Sequence, residues 1–313
     1  MSDLIQLKES LYMFDLFEQG QAGRSSAYLY NGPKKTLIET GSANSLDHIL
    51  DSLKRLDLTP EDLDYVIVTH VHLDHAGGAG KLAELAKNAT FVAHPRAARH
   101  LIDPTRLIQG AAQVYGDAMH SLFGDILPIP EHQVLIREDG ETIDIGDRKL
   151  IFLDTPGHAK HHFVVHDPEI AGVFSGDSLG IRYVKPFTGW NFEFVLPSTS
   201  PTDFDPEGVA FTVDKIRNLN PETVYHTHFG PSPAEEAYQG TLEGAMAFKE
   251  LSDRVFAAGL DWEGIQSELK NYIRGHLANA GHQVSDDLNE MSVDLELNAK
   301  GLMVYEERKN RHS

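Results

Sequence analysis

The sequence has no cysteine, and this absence excludes several kinds of chemistry together. Its 313 residues can form no disulfide, supply no thiolate to a metal and offer no cysteine nucleophile. Any metal site must therefore be built from histidine and carboxylate ligands. Histidine is well represented by contrast, with 17 residues.

Basic residues are scarce beside acidic ones, with 27 Lys and Arg against 47 Asp and Glu and a net charge of -20. Such a chain has no basic excess to neutralise nucleic-acid phosphates or to bind an anionic membrane surface. No apolar run approaches the ~20 residues of a membrane-spanning helix, and the first residues do not resemble a secretory signal. We therefore expect a cytoplasmic protein with a small-molecule substrate and no nucleic-acid or membrane partner. A homodimer is compatible with the sequence.

One stretch of the chain combines a strand, a polar cluster and the start of a helix. The apolar, β-branched run 65–68 is typical of a buried strand. Four polar side chains follow within six positions: His70, His72, Asp74 and His75. Imidazoles two residues apart can point to one side of an extended segment, and ligands past the bend can face a second position. Neutral imidazoles and a carboxylate suit a divalent metal such as zinc, whereas a solvated turn explains the arrangement poorly.

Three further segments place polar side chains at the ends of predicted strands. The strand 149–153 leads into a Thr-Pro-Gly-His turn that presents His158. Nineteen residues later, a short apolar strand ends in Ser-Gly-Asp at Asp177, whose two oxygens can bind two ions. A strand over 222–228 carries His226 and His228, which can share a direction, so spacing alone leaves both open.

Together these motifs resemble the signature of the metallo-β-lactamase fold superfamily of metallohydrolases. The resemblance implies an α/β fold, an αββα sandwich with a two-metal site at the sheet ends. It implies two divalent ions, with zinc expected and iron or manganese as alternatives. It also implies the ligands of each ion: His70, His72 and His158 for the first, Asp74, His75 and His228 for the second, and Asp177 as the bridge.

The resemblance covers about residues 10–232, and the chain after it has helical apolar spacing. We therefore predict a metallo-β-lactamase-like domain over 1–232, with a helical insertion at about 96–130, and a C-terminal helical extension over 233–313. The insertion is expected to pack on the core and also to wall the substrate pocket.

The complete ligand set predicts a metal-dependent hydrolase that cleaves an ester, lactone or thioester with a bridging hydroxide, oriented by Asp74 as the catalytic carboxylate. A di-iron protein that binds oxygen or nitric oxide is the alternative, although such relatives generally have Glu in place of His72. A ligand-sensing protein on the same scaffold is a third. The substrate-binding residues are unknown. The aromatic-rich segment 178–206 is expected to form a substrate wall or lid rather than only pack on the core, with three residues as candidate contacts: Arg182, Tyr183 and Lys185.

Other residues beside the motifs have more ordinary interpretations. Glu39 ends a strand where the superfamily usually has Asp, and either supports the metal site from behind or lies in water. His162 is expected to brace the His158 loop. His94 is expected to be structural, and two histidines are expected at the surface: His161 and His166.

Overall fold

The computed structural model describes residues 4–199 and 202–311, which form two β-sheets packed face to face. In the first sheet the strands follow chain order, antiparallel from the first to the fourth and parallel from the fourth to the seventh. They are β1 (Leu4–Gln6), β2 (Leu11–Asp15), β3 (Ser26–Asn31), β4 (Lys35–Ile38), β5 (Leu63–Ile67), β6 (Thr90–Ala93) and β7 (Val134–Ile136).

The second sheet is built mainly from the later strands: β8 (Thr142–Asp144), β9 (Lys149–Asp154), β10 (Phe163–Asp167), β11 (Gly172–Gly176), β14 (Thr223–His226) and β15 (Gly230–Pro233). Between them in the chain, β12 (Ile181–Tyr183) and β13 (Phe194–Leu196) form a separate antiparallel ribbon. Strand β10 runs antiparallel to both β9 and β11, and β14 runs parallel to β11. The C-terminal ends of β9, β11 and β14 therefore lie at one edge of this sheet.

Helices pack on the outer faces of the two sheets, beside the cavity and against one another. They are α1 (Leu46–Arg55), α2 (Leu73–Ala76), α3 (Ala79–Leu85), α4 (Pro95–Ile102), α5 (Thr105–Tyr115), α6 (Met119–Phe123), α7 (Lys185–Thr188), α8 (Pro206–Arg217), α9 (Ala234–Ala257), α10 (Trp262–Asn279) and α11 (Ser292–Arg311). None of the described helices is both long and apolar enough to traverse a bilayer.

Alternation along the central strands explains the layering. Ile67 faces the space between the sheets, whereas its neighbour Val66 packs outward with α1, α3 and α4. In the same way Phe174 faces inward, and Val173 packs outward against α8 and α9. All four side chains are at most 1% exposed, and each contributes roughly 1.5–3 kcal/mol through burial. These layers confirm the predicted αββα sandwich with helices at its C-terminal end.

The aromatic side chains of the segment 178–206 pack on the core, whereas other residues of the same segment line the cavity described below, in keeping with the wall that the sequence suggested. Tyr183, Phe194 and Phe204 pack in one apolar cluster with residues of the C-terminal helices, including Phe248 and Leu302. The amphipathic helices α9 to α11 present an apolar face that must be covered, and these aromatics cover it. The helices after Ala234 thus share a core with the ribbon β12–β13, while the predicted domain division at residue 232 stays a prediction.

Candidate metal centre

The loops that carry the predicted ligands all leave the same edge of the sandwich. Strand β5 continues through Thr69 into His70, and α2 begins directly after His72. The other ligand loops follow β9, β11 and β14, whose C-terminal ends lie side by side. Residues separated by more than 150 positions in sequence are thereby brought together. In the described residues they form three overlapping groups suited to a metal ion: His70, His72 and His158; His70, His75 and Asp177; Asp74, His75 and His228.

Three imidazoles converge in the first group. His72 Nδ1 lies 3.0 Å from His70 Nε2 and 3.0 Å from His158 Nε2. A tetrahedral zinc ion with Zn–N bonds of 2.0–2.1 Å separates its ligand nitrogens by roughly 3.3 Å. The observed spacing therefore fits a small divalent cation held by three nitrogens.

The second group combines imidazoles with carboxylates. His228 Nε2 lies 3.3 Å from His75 Nε2 and 3.4 Å from Asp74 Oδ2. Asp177 lies between the groups, with Oδ1 3.1 Å from His75 Nε2 and Oδ2 3.5 Å from His158 Nε2. Its Oδ1 is buried and has no partner with hydrogen-bond geometry among the described residues. A cation between the groups would satisfy this oxygen, and the donor set therefore fits metal binding.

Backbone carbonyls behind the centre fix the orientation of two imidazoles. His158 Nδ1 donates to the carbonyl of Ser198 at 3.2 Å, and His228 Nδ1 donates to the carbonyl of Arg24 at 2.9 Å. Because a carbonyl can only accept, Nδ1 carries the proton in both rings, and the Nε2 lone pair faces the centre. This arrangement is typical of histidines that bind a metal.

Glu39 has a comparable position behind His75. Its side chain is fully buried, with Oε2 3.6 Å from His75 Nδ1, and its Oε1 accepts from the backbone N–H of Thr69 at 3.1 Å. The interpretation of Glu39 as a carboxylate in water is therefore wrong, and the structure favours support of the centre from behind.

Burial and neighbouring charges shift the pKa values of the histidines and carboxylates of the centre in different directions. Burial, reinforced by neighbouring histidines, lowers the pKa of His70 and His72 well below the ordinary value, so both rings stay neutral and able to bind a cation. Burial alone would lower the pKa of His75, but Asp177 and Asp74 hold it well above the ordinary value. Burial would raise the pKa of Asp177, but His75 and His228 outweigh it and hold that pKa well below the ordinary range. Burial would likewise raise the pKa of Asp74, but His75 and His228 lower it, so both carboxylates are anionic and available to cations.

His162 braces the centre, and Gly176 makes room for it. His162 Nδ1 lies 2.8 Å from Thr155 Oγ1, and its Nε2 accepts from the backbone N–H of Asp177 at 3.2 Å. Gly176 has φ +51°, and a Cβ there would come within 2.4 Å of His162 Nε2. The Ser-Gly-Asp sequence thus requires glycine because an imidazole packs directly on the backbone.

The two candidate histidines of the β14 end have different surroundings. His226 points away from the centre, because its Nδ1 donates to the carbonyl of Gly180 at 3.2 Å and its Nε2 lies 2.9 Å from Ser232 Oγ. His228 is the one that reaches the second group.

A cavity of about 360 Å³ opens over both groups, and several of its lining residues were not foreseen. Helix α5 supplies an apolar wall through Leu107, Val114 and Tyr115, in keeping with the pocket role suggested for the insertion. Other residues without a ligand motif also line the cavity: Arg24, Arg106, Ile181, Ser198, Thr199, Thr202, Asp294, Leu297 and Asn298. The three predicted candidate contacts, Arg182, Tyr183 and Lys185, are not part of this lining.

The histidines expected at the surface are placed differently. His161 lines the cavity, and its Nδ1 is buried without a hydrogen-bond partner in the described chain. Burial lowers its pKa to about 4. His166 is on the buried strand β10 and is 7% exposed. His94 is structural, since its Nδ1 accepts from the backbone N–H of Arg96 at 3.0 Å at the start of α4.

Comparisons with known proteins find relatives that carry the metallo-β-lactamase fold or similar sequences. The metallo-β-lactamase fold-containing protein ST1585 of Sulfurisphaera tokodaii is 27% identical over 258 residues, 80% of this chain and 90% of that protein. The flavo-diiron protein FprA2 of Clostridium acetobutylicum is 35% identical over 187 residues, 58% of this chain and 40% of that protein. The acyl-coenzyme A thioesterase MBLAC2 of Gallus gallus is 30% identical over 179 residues, 55% of this chain and 59% of that protein. The chain thus spans less than two thirds of the last two relatives.

A solved structure and a family model extend the comparison to the whole fold. The crystal structure of ST1585 superposes with a TM-score of 0.60 at 22% identity, covering 90% of this chain and 93% of that one, which shows a shared fold. The model of the metallo-beta-lactamase superfamily matches residues 20–228, a range that contains every predicted metal ligand. The chain belongs to the metallo-β-lactamase superfamily.

Proposed function

We propose that the protein is a binuclear metal-dependent hydrolase that cleaves an ester, lactone or thioester bond of a small molecule. The observation that carries the proposal is the convergence of seven candidate ligand side chains in adjoining groups, five of which line one cavity. In this assignment one ion is held by three imidazoles, the other by Asp74, His75 and His228, and Asp177 bridges them. Zinc is the expected metal, since the first group is all nitrogen, and iron or manganese are the alternatives.

Two divalent ions in such a centre lower the pKa of a bound water toward 7 and stabilise negative charge that develops on the substrate oxygen. The chain supports this chemistry with differently placed carboxylates. Both line the cavity, but Asp177 is 5% exposed and lies between the groups, whereas Asp74 is 30% exposed. Asp74 can therefore accept a hydrogen bond from the attacking water and orient it toward the substrate.

The cavity favours a substrate with an apolar acyl portion. Leu107 and Val114 of α5 face Leu297 of α11 across it, and its volume lies in the range of small-molecule sites. Arg24 and Arg106 supply positive charge at its wall. The thioesterase named among the relatives supports an acyl substrate for this fold. With a net charge of -20, the chain is poorly suited to nucleic acid or an anionic membrane. A homodimer and a cytoplasmic location stay predictions.

A di-iron protein that binds oxygen or nitric oxide is the second candidate, supported by the similarity to a flavo-diiron protein. His72 favours the hydrolase, because it places a third imidazole in the first group where di-iron relatives generally have Glu. Metal analysis of protein purified without added metal distinguishes the two, since two iron ions with oxygen reactivity support the second candidate.

The test of the hydrolase compares Asp177→Asn with the wild type on a panel of ester, lactone and thioester substrates. The amide keeps the size but loses the charge and one metal-binding oxygen, so we expect a folded protein with turnover reduced by orders of magnitude. Asp205→Asn is the matched control, because it makes the same charge change at the N-terminus of α8, where Asn caps equally well. Near-wild-type turnover in Asp177→Asn, or a wild type that cleaves nothing on the panel, would rule the proposal out.

A further inference from the structure

We infer that helix α11, which lies outside the range matched by the family model, positions one histidine of each metal group through Asp294 and Asn298. The inference rests on the proposed metal centre, yet it concerns residues that belong neither to the ligand motifs nor to the catalytic carboxylates. Both residues are in the first two turns of the helix and line the cavity.

Asp294 anchors the segment that orients His228. Its Oδ1 accepts from the guanidinium of Arg24 at 2.8 Å, and the two side chains are only 7% and 10% exposed. The backbone carbonyl of the same Arg24 accepts from His228 Nδ1, and the adjacent Ser25 Oγ lies 3.0 Å from that nitrogen. Arg24 precedes β3 in a loop, so the buried ion pair fixes the position of the carbonyl that the imidazole needs.

Asn298 anchors the loop that orients His158. Its side-chain oxygen accepts from the backbone N–H of Thr199 at 2.8 Å and from the Thr199 hydroxyl at 2.8 Å. Thr199 directly follows Ser198, whose carbonyl accepts from His158 Nδ1. Strand β13 ends at Leu196, so no sheet ladder holds this carbonyl in place. The asparagine therefore replaces the missing strand partner.

The spacing of the two anchors lets one rigid element serve both groups. Asp294 and Asn298 are four residues apart, so they lie on one face of the helix about 6 Å apart along its axis. The helix is also held rigidly in place. Leu295, Ala299 and Leu302 are at most 1% exposed and pack against α9 and α10. The helix thus fixes the separation of the two carbonyls, and with it the separation of the two imidazoles.

Helix stability alone does not account for these polar residues. Burying an ion pair and an amide costs desolvation free energy that apolar side chains would avoid. A third buried polar residue of α11, Glu306, joins two helices without contacting the segments that orient the histidines. It lies at the other end of the helix, and its carboxylate accepts from Ser252 Oγ of α9 at 2.8 Å, a contact between helices that does not reach the centre. Glu306 is therefore the matched control.

The experiment measures zinc affinity of the full-length, metal-free protein by competition with a chromophoric chelator, without reference to activity. His158→Ala and His228→Ala first identify which binding step belongs to each group. We expect Asp294→Ala to weaken the His228-dependent step by about 10- to 100-fold, and Asn298→Ala to weaken the His158-dependent step by a similar factor. Asn298→Asp keeps the accepting oxygen and should retain the wild-type affinity. Glu306→Ala should leave both steps unchanged.

Isosteric variants keep the test decisive if the alanine variants fail to fold. Asp294→Asn removes the charge at constant size and should weaken the His228-dependent step, whereas Glu306→Gln should not. Wild-type zinc affinity in the folded Asp294 and Asn298 variants, or equal weakening by the Glu306 variants, overturns the inference. A wild type that binds two ions while the anchors have no effect refutes only this inference, whereas a wild type that binds no zinc refutes the proposed centre as well.

Discussion

Replacing Gly176 by alanine should destabilise the protein and disturb the metal centre at the same time. At φ +51° an L-residue costs about 1–2 kcal/mol. The new Cβ would also lie 2.4 Å from His162 Nε2 and 2.5 Å from Thr69 Oγ1, two side chains that are at most 1% exposed. Overpacking of this kind costs about 1–3 kcal/mol. We therefore expect a total loss of about 2–5 kcal/mol in the free energy of unfolding.

Gly259→Ala separates the backbone cost from the steric one. Gly259 has φ +72° in the turn between α9 and α10, and a Cβ there meets no heavy atom within 4 Å. The entropic effect of Gly→Ala on the unfolded chain is common to both variants, so it cancels in the difference between their losses of stability. Urea denaturation of the metal-free proteins should show a loss of only about 1–2 kcal/mol for Gly259→Ala. Zinc binding should weaken in Gly176→Ala alone, and equal losses of stability with unchanged zinc affinity would refute the steric reasoning.

Three further expectations follow from the same contacts. His228→Ala should lower metal content and activity far more than His226→Ala, as metal analysis will show, and the opposite ranking would exchange their roles. Glu39→Gln keeps the acceptor for Thr69 but loses the charge facing His75, so zinc affinity should fall about 10- to 100-fold in a folded protein. Burial lowers the pKa of His226 to about 3, so its contribution to stability is complete above pH 6.5 and is lost as the pH falls toward 3. Denaturation of the metal-free protein over this window should therefore depend less on pH in His226→Gln, and an unchanged pH dependence would contradict the assignment.

The fold and the ligand groups could be predicted because their signals are local. Alternating apolar residues define which side of each strand is buried, as Val66 and Ile67 show. The ligands follow strand ends within a few residues, and the Thr-Pro-Gly-His turn that presents His158 is recognisable from its own sequence. The structure brings these side chains together at one edge of the sandwich.

The part of the cavity wall outside α5 could not be predicted residue by residue, because it depends on contacts between distant segments. Arg24 and Asp294 are 270 residues apart in sequence and have no motif in common. The aromatic segment shows the same limit: Tyr183 and Phe194 pack on the helices that begin at Ala234, and the residues of the segment that line the cavity are other ones. His161 was assigned to the surface because sequence spacing does not reveal that it packs beside His70 and His72 and lines the cavity.

A zinc titration of the metal-free protein, with bound metal and thioester hydrolysis measured at each addition, tests the central claim most directly. The account requires binding to saturate at two ions per chain, with turnover appearing as the centre fills. Saturation at one ion, absence of binding, or two bound ions without hydrolysis of any ester, lactone or thioester would contradict it.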